Sequence, residues 1–338
     1  MNGAGPLLEV QNLKMHFPIR TGFLRRDTAY VKAVDDVSFD IQAGETLGLV
    51  GESGCGKTTT GRCILRVLNP TAGVMLYRPR QEAAVDLAGL STRELARYRQ
   101  EIRLIFQDPF ASLNPRLTVR EIVGESLKVN LGLSGSELEG RVAALLSTVG
   151  LRPEYSSRYP HAFSGGERQR IGIARALALN PRLVVADEAV SALDVSIRSQ
   201  VLNLLQDLQD ELDLTYLFIS HDLSVIKYAC DRVAVMYVGK LVEVADTRSV
   251  FLAPRHPYTE ALMSAVPRPD PRIRSQRIVL EGDVPDPAHP PPGCHFHPRC
   301  RYAEDVCRTE EPPLQDLGSG HRAACHFAGD LELTGIHR

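Results

Sequence analysis

The sequence has no apolar run approaching the ~20 residues that a membrane-spanning helix needs, so it offers no helical segment long enough to cross a bilayer. It has little excess charge of either sign: 39 Lys and Arg stand against 41 Asp and Glu, a net charge of −2. The two signs are mixed along the chain, which gives no support for a broad nucleic-acid footprint. Residues 1–10 lack the basic stretch followed by an apolar one that marks a secretory signal. A cytosolic location is the expectation, with any work at a membrane done beside other, spanning subunits. Internal repeats and sustained heptads are also missing, and the only biased tract is the short Pro290-Pro291-Pro292 run. What is present is ordinary for a globular chain, 43% hydrophobic and 24% charged. At 338 residues there is enough chain for one large α/β domain and an appendage.

Residues 8–13 and 37–41 approximate the alternation of half-buried strands, with a basic, Gly-containing stretch at 20–26 read as a loop. Thr46-Leu47-Gly48-Leu49-Val50 is a short apolar run suited to a strand buried on both faces. Similar runs recur at 102–106, 183–186, 217–219 and 233–236, separated by helical patterns at 58–68, 167–179, 197–212 and 223–228. Such alternation predicts a mostly parallel sheet covered by helices. Residues 110–164 carry amphipathic stretches and no convincing strand, a helical insertion. Thirteen of the 22 prolines lie between Pro254 and Pro313, which excludes regular helix or central strand there. The expected division is a nucleotide-binding domain over 1–255 and an irregular extension over 256–338.

Gly51-Glu52-Ser53-Gly54-Cys55-Gly56-Lys57-Thr58 fits the phosphate-loop pattern G-x-x-x-x-G-K-[ST]. The glycines let the backbone curl with its N–H groups inward, and the helix opened by Lys57, Thr58 and Thr59 turns its positive end to the anion. Lys57 is suited to reach the β- and γ-phosphates of ATP, and the Thr58 hydroxyl to bind Mg²⁺. The strand Leu183-Val184-Val185-Ala186 ends in Asp187-Glu188. Asp187 is placed to hold Mg²⁺ and Glu188 to act as general base on water. A strand ending in two acids is weak alone and gains force from the loop upstream. Phe163-Ser164-Gly165-Gly166-Glu167 supplies a hydroxyl and backbone donors at a helix start, a second anion site. One nucleotide does not need two such sites. Two chains facing head to tail would use both.

These motifs, in this order over about residues 7–250, resemble the nucleotide-binding subunits of ABC transporters, whose signature is the Ser164-Gly165-Gly166 stretch. The resemblance implies a P-loop NTPase fold with an antiparallel β subdomain and the helical insertion. It makes Gln107 the Q-loop residue that touches Mg²⁺ or the water, Ser191-Ala192-Leu193-Asp194 the D-loop and His221 the switch histidine that contacts the γ-phosphate. Tyr30 is the expected adenine-stacking aromatic, with Phe23 second. Ala189-Val190 departs from the family's usual Pro-Thr and touches no phosphate-binding atom. Phe106-Gln107-Asp108-Pro109-Phe110-Ala111-Ser112-Leu113-Asn114-Pro115-Arg116 and Arg255-His256-Pro257-Tyr258-Thr259-Glu260-Ala261-Leu262 resemble the oligopeptide and dipeptide importer branch, and Asp187–Asp194 its second ATPase type. The branch also imports nickel, glutathione or sugars. The implied assembly is a second homologous ATPase, two transmembrane permease subunits and an extracytoplasmic solute-binding protein, with this chain peripheral on the cytoplasmic membrane face. A soluble ABC ATPase acting on ribosomes or DNA is the rival class, and an exporter ATPase a further one. A single cassette without heptads argues against the first, the extension against the second.

Four of seven cysteines crowd the tail as Cys294, Cys300, Cys307 and Cys325. Their gaps are longer than the x2–x4 knuckles of zinc sites. Four thiolates from irregular backbone suit a cuboidal cluster, and the resemblance agrees, since some peptide-importer ATPases hold [4Fe–4S] there. Zinc with His295, His297, His321 or His326 is the alternative, and four packed thiols the bland one. No tail residue matches a nucleotide-contacting motif, so the cysteine site is expected to be remote from ATP.

Overall fold

The computed structural model describes residues 5–21, 26–80, 82–108, 110–266 and 277–336. Phe23 and Pro109 fall outside the described residues. The chain opens with two long strands, β1 (Leu8–Thr21) and β2 (Arg26–Ile41), paired antiparallel from Leu8 against Ile41 to Thr21 against Arg26. The strands expected over 8–13 and 37–41 are therefore the outer ends of one hairpin. Residues 20, 21 and 26, read above as loop, belong to its strands. β3 (Thr46–Val50) follows, buried throughout, and then helix α1 (Lys57–Ile64). β4 (Ala72–Tyr77) and β5 (Val85–Asp86) return to complete a four-stranded antiparallel sheet in the order β2-β1-β4-β5.

Helix α2 (Thr92–Glu101) starts on a capping box between Ser91 and Glu94 and leads into β6 (Ile102–Ile105). Among the described residues, 110–164 contain no strand. They form α3 (Val119–Leu131), started by a Thr118–Glu121 capping box and stopped by Gly132 at φ 70, and then α4 (Gly135–Thr148) and two short 3-10 turns. Helix α5 (Gly165–Leu177) re-enters the main body. Strand and helix then alternate: β7 (Leu183–Asp187), α6 (Val195–Leu212), β8 (Thr215–Ile219), α7 (Leu223–Ala229) and β9 (Arg232–Tyr237).

Strands β6, β7, β8, β3 and β9 pair in parallel, in that spatial order. Their period-2 geometry sorts one apolar run onto two cores. Leu47, Leu49, Val185, Leu217 and Ile219 face the hairpin and α1. Val184, Ala186, Tyr216, Phe218 and Val233 face the cluster built around α5 and α6. That double burial is why these strands carry no polar alternation.

β10 (Lys240–Asp246) turns back antiparallel on β9, followed by α8 (Thr247–Leu252) and α9 (Pro257–Ser264). Helix α9 corrects the expectation of no regular helix in the proline stretch: Pro257 stands in its first turn, where no intrahelical N–H bond is lost. The proline-rich tail contributes a single turn of helix, α10 (Asp305–Thr309), and two short strands, β11 (Gln315–Asp316) and β12 (Arg322–Ala323). β12 pairs with β10, extending the sheet to β11-β12-β10-β9-β3-β8-β7-β6. The tail thus shares a sheet with the ATP-motif strands.

Glu243 of β10, wholly buried, fastens this junction. Its carboxylate accepts from the backbone N–H of Arg255 at 2.8 Å and of His256 at 3.0 Å, and lies 2.7 Å from His321 Nε2. Glu243→Ala leaves two buried N–H donors and an imidazole without a partner. The expected cost is about 3 kcal/mol, seen as a lowered unfolding temperature and earlier release of the tail in limited proteolysis. An unchanged unfolding temperature would show that the junction does not depend on Glu243.

Candidate active site

The phosphate loop joins β3 to α1, and two glycines that touch neighbouring backbone set its shape. Gly51 has φ 152 and Gly56 φ 110. A Cβ on Gly51 would lie 2.1 Å from the Met236 carbonyl oxygen of β9, and one on Gly56 2.1 Å from the Ala33 carbonyl oxygen of β2. The loop is wedged between the two sheets, and neither position accepts a side chain. Ser53 and Gly54 form its exposed crest, while Cys55 and Lys57 are buried. Lys57 Nζ donates across the loop to the carbonyls of Gly51 at 2.7 Å and Glu52 at 2.9 Å. No side chain caps α1, which leaves the N–H groups at Lys57, Thr58 and Thr59 to an anion.

Thr58 Oγ1 donates to Asp187 Oδ1 at 3.0 Å. Asp187 ends β7, and burial pushes its carboxyl up against the opposing pull of the Thr58 hydroxyl. A hydroxyl beside a buried carboxylate is a hard-oxygen donor set that suits Mg²⁺.

Glu188 follows in left-handed backbone, φ 48, an uncommon conformation for a side-chain-bearing residue. Its N–H donates to the Ile219 carbonyl of β8 at 2.9 Å, and its carbonyl accepts from the Ser191 N–H and hydroxyl at 3.0 and 2.9 Å. The turn aims the carboxylate at two partners. Gln107 Nε2 donates to Oε2 at 2.7 Å, and His221 Nδ1 lies 3.0 Å from Oε1. Gln107, Glu188 and His221 come just after β6, β7 and β8, adjacent parallel strands that end at one edge.

Ser164, Gly165 and Gly166 sit elsewhere. Ser164 caps α5 in a box with Glu167 and, among the described residues, its side chain hydrogen-bonds only within that cap. Gly166 is pressed against α6, where a Cβ would meet Ile197 at 2.4 Å. Gly165 is different: its φ is ordinary, and a Cβ would meet only Leu193 at 3.7 Å and Phe110 at 3.9 Å, normal contact distances. Nothing in its own chain requires glycine there. Tyr30 is 48% exposed on β2, three residues before Ala33, which places it about 10 Å along the strand from the loop's contact.

A chain with this loop, these strand-end acids and this capped helix belongs to the ABC transporter family, as an ATP-binding subunit. Residues 34–191 match the family described as ABC transporter, and residues 242–307 the one described as oligopeptide/dipeptide transporter, C-terminal region. The oligopeptide transport ATP-binding protein AppF of Bacillus subtilis (strain 168) is 50% identical over 324 residues, 95% of this chain and 97% of that protein. Among solved structures, the ATP-binding cassette MJ0796 in a dimeric post-hydrolysis state bound to ADP and Pi superposes with a TM-score of 0.61 at 28% identity, over 71% of this chain and 99% of that one. CbiO1 from Clostridium perfringens, part of the ABC transporter complex cbiONQ, gives 0.61 at 26% identity, over 73% and 91%.

The tail corrects the sequence reading. Cys294, Cys300, Cys307 and Cys325 do converge, lining one cavity with His256, Phe296 and Leu331. The cavity is about 10 Å³, room for about one water. Among the described residues no group of three or more His, Cys, Asp or Glu side chains is disposed to hold a metal ion. The expected [4Fe–4S] cluster, and zinc as its alternative, are therefore overturned. Burial pushes the Cys294 thiol up to about 12 and that of Cys300 up to about 11.

The tail also reaches the phosphate loop. Arg299 donates to the Glu52 carboxylate through Nη1 at 2.8 Å and Nη2 at 3.3 Å. The Glu52 N–H donates to Tyr258 Oη at 2.8 Å. Glu52, Tyr258 and Arg299 were invisible as site residues in the sequence. Glu52 holds a variable position of the loop pattern, and its partner lies 247 positions away.

His256 underlies this contact. It is completely enclosed, its Nδ1 accepts from the Tyr258 N–H at 3.0 Å, and burial pushes it down to about 3. The unfolded chain titrates it near ~6.5. Between these values the unfolded state binds the proton and the folded state does not. His256 therefore contributes stability that is full above pH ~6.5 and lost as pH falls toward 3. His256→Asn keeps a capping acceptor and removes the titration. The fall of unfolding temperature from pH 7 to 5 should become shallower, with a residual slope from His295, also lowered by burial. An identical slope would remove His256 from the acid sensitivity.

Proposed function

We propose that this chain binds MgATP on Gly51–Thr59 and hydrolyses it as one of two ATPase subunits that power peptide import through a membrane transporter. The observation that carries the reading is the Glu188 carboxylate, held between Gln107 and His221 at the sheet edge that also carries Asp187 and Thr58. The curated relative AppF, named for oligopeptide transport, supports peptide as the solute.

Lys57 turns from the carbonyls of its own loop to the β- and γ-phosphates. Thr58 and Asp187, with Gln107 beside them, would hold Mg²⁺, which would supply positive charge against the phosphates. Glu188 takes the proton of the attacking water, and Gln107 and His221 fix the carboxylate that does so. Tyr30 stacks on adenine. Ser164, Gly165 and Gly166 close over the nucleotide held by a second, homologous ATPase subunit, where a bare Gly165 leaves room for phosphate.

The nucleotide-binding domain over 1–255, with its helical part near 110–164, bears the chemistry, and 256–338 form the extension. Among the described residues no helix is long and apolar enough to cross a membrane. Two permease subunits and an extracytoplasmic solute-binding protein complete the system, with this chain peripheral on the cytoplasmic face. Phe106 and Phe110, 45% and 58% exposed around Gln107, offer the apolar contact through which a permease senses the site.

Glu188→Gln keeps shape and hydrogen bonding and removes basicity. MgATP affinity should hold while hydrolysis at this site falls by ~10²–10⁴, measured in an assembly where this chain supplies the sole intact base. Near-normal turnover would take Glu188 out of the role.

A further inference from the structure

We infer that Arg299 and Tyr258, both from the extension, are positioning residues of the nucleotide site: together they clamp Glu52, the second residue of the phosphate loop, and Arg299 screens its carboxylate from the incoming phosphates. The inference rests on the reading of Gly51–Thr59 as the nucleotide cradle.

Every polar group of Glu52 has a partner. Its N–H goes to Tyr258 Oη. Its carbonyl accepts from Lys57 Nζ at 2.9 Å and from the Cys55 N–H at 3.3 Å. Its carboxylate takes the two Arg299 bonds, in the forked geometry that fits guanidinium to carboxylate. The Arg299 side chain is only 8% exposed and Glu52 27%, so solvent screens this pair less than a surface one. Lys57 is thereby placed through the Glu52 backbone, and the tail sets where that backbone sits.

The clamp is rigid on the tail side. Phe296 packs edge-on to Tyr237 at 5.3 Å between centroids and against Tyr258 at 5.4 Å. Tyr237 Oη also accepts from Arg299 Nη1 at 3.3 Å. His295 Nδ1 lies 3.1 Å from the Val238 carbonyl. Farther along, the Pro287 carbonyl accepts from the Lys32 N–H at 3.0 Å, next to Ala33, whose carbonyl abuts Gly56. The extension therefore touches the loop at Glu52 and the strand that supports the loop at its other glycine.

Charge gives the clamp its consequence. A carboxylate on a loop built for a polyanion repels it unless a cation faces it. Arg299 is that cation. Freed of it, Glu52 opposes ATP binding more than it opposes turnover of ATP already bound.

The test measures MgATP affinity of the full chain by equilibrium binding, and KM and kcat in the assembled transporter. Arg299→Ala should raise Kd and KM about tenfold, equivalent to ~1.4 kcal/mol, with kcat within about twofold. The defect should shrink at high salt and be smaller for ADP than for ATP. Glu52→Gln alone takes a negative charge off the loop while Arg299 stays and should lower Kd for MgATP, and added to Arg299→Ala it should restore most of the lost affinity. Rescue by removing a second charge separates screening from simple loss of tail structure. Arg299→Lys, which keeps the charge, should fall between, and carries the test together with Glu52→Gln if the alanine variant does not fold. Unchanged affinity in Arg299→Ala, or a loss that Glu52→Gln fails to restore, would overturn the inference. A wild-type chain that binds no MgATP would instead overturn the reading of the cradle, and this inference with it.

Discussion

The fold is organised around one steric requirement, the approach of the phosphate loop to backbone on both sides. Met236 of β9 closes on Gly51 and Ala33 of β2 closes on Gly56, each to a distance that excludes a Cβ. The parallel sheet and the antiparallel hairpin are thereby held in fixed relation, because the loop is the wedge between them. The same sheet delivers the chemistry. Strands β6, β7 and β8 run parallel to β3 in one sheet, so Gln107, Asp187, Glu188 and His221 emerge at the edge where the loop begins, the usual place for ligands on a parallel sheet.

Burial, more than local hydrogen bonding, made this part of the molecule legible. Strands such as Leu183–Asp187 and Thr215–Ile219 are buried throughout, so they appear in the sequence as bare apolar runs. The helices between them carry period-3.6 patterns, and the loop pattern has a mechanical reason for each glycine. The hairpin was less visible, since β1 and β2 pair through several register shifts that break the alternation. β4, β5, α2, β10, α8 and α9 were missed. The first two are short or partly exposed, and the Ser91–Glu94 capping box that opens α2 was a signal left unused.

The extension shows the limit of spacing as a guide. Four cysteines within 32 residues do meet in space, yet composition cannot tell a metal site from an apolar nest. Spacing says nothing of what lines the space between the sulfurs, where Phe296 and Leu331 stand beside His256, His297 and His326. Likewise a proline-rich segment reads as an appendage, although β12 pairs with β10 and Arg299 reaches the phosphate loop. Long-range pairs of this kind leave no local trace. The tail touches both the loop, through Arg299, and its supporting strand, through Pro287.

Gly165 carries the central claim, that hydrolysis needs a second subunit. It is the one signature residue whose identity its own chain does not explain. In an assembly of two different ATPase subunits, Gly165→Asp is placed in this chain alone, and labelled nucleotide trapped with vanadate is quantified on each subunit. A carboxylate at that position should abolish trapping on the partner subunit through like-charge repulsion, while ATP still photolabels this chain's own Lys57 loop. Trapping spared on the partner, with labelling lost at the mutated chain's own loop, would contradict a head-to-tail composite site.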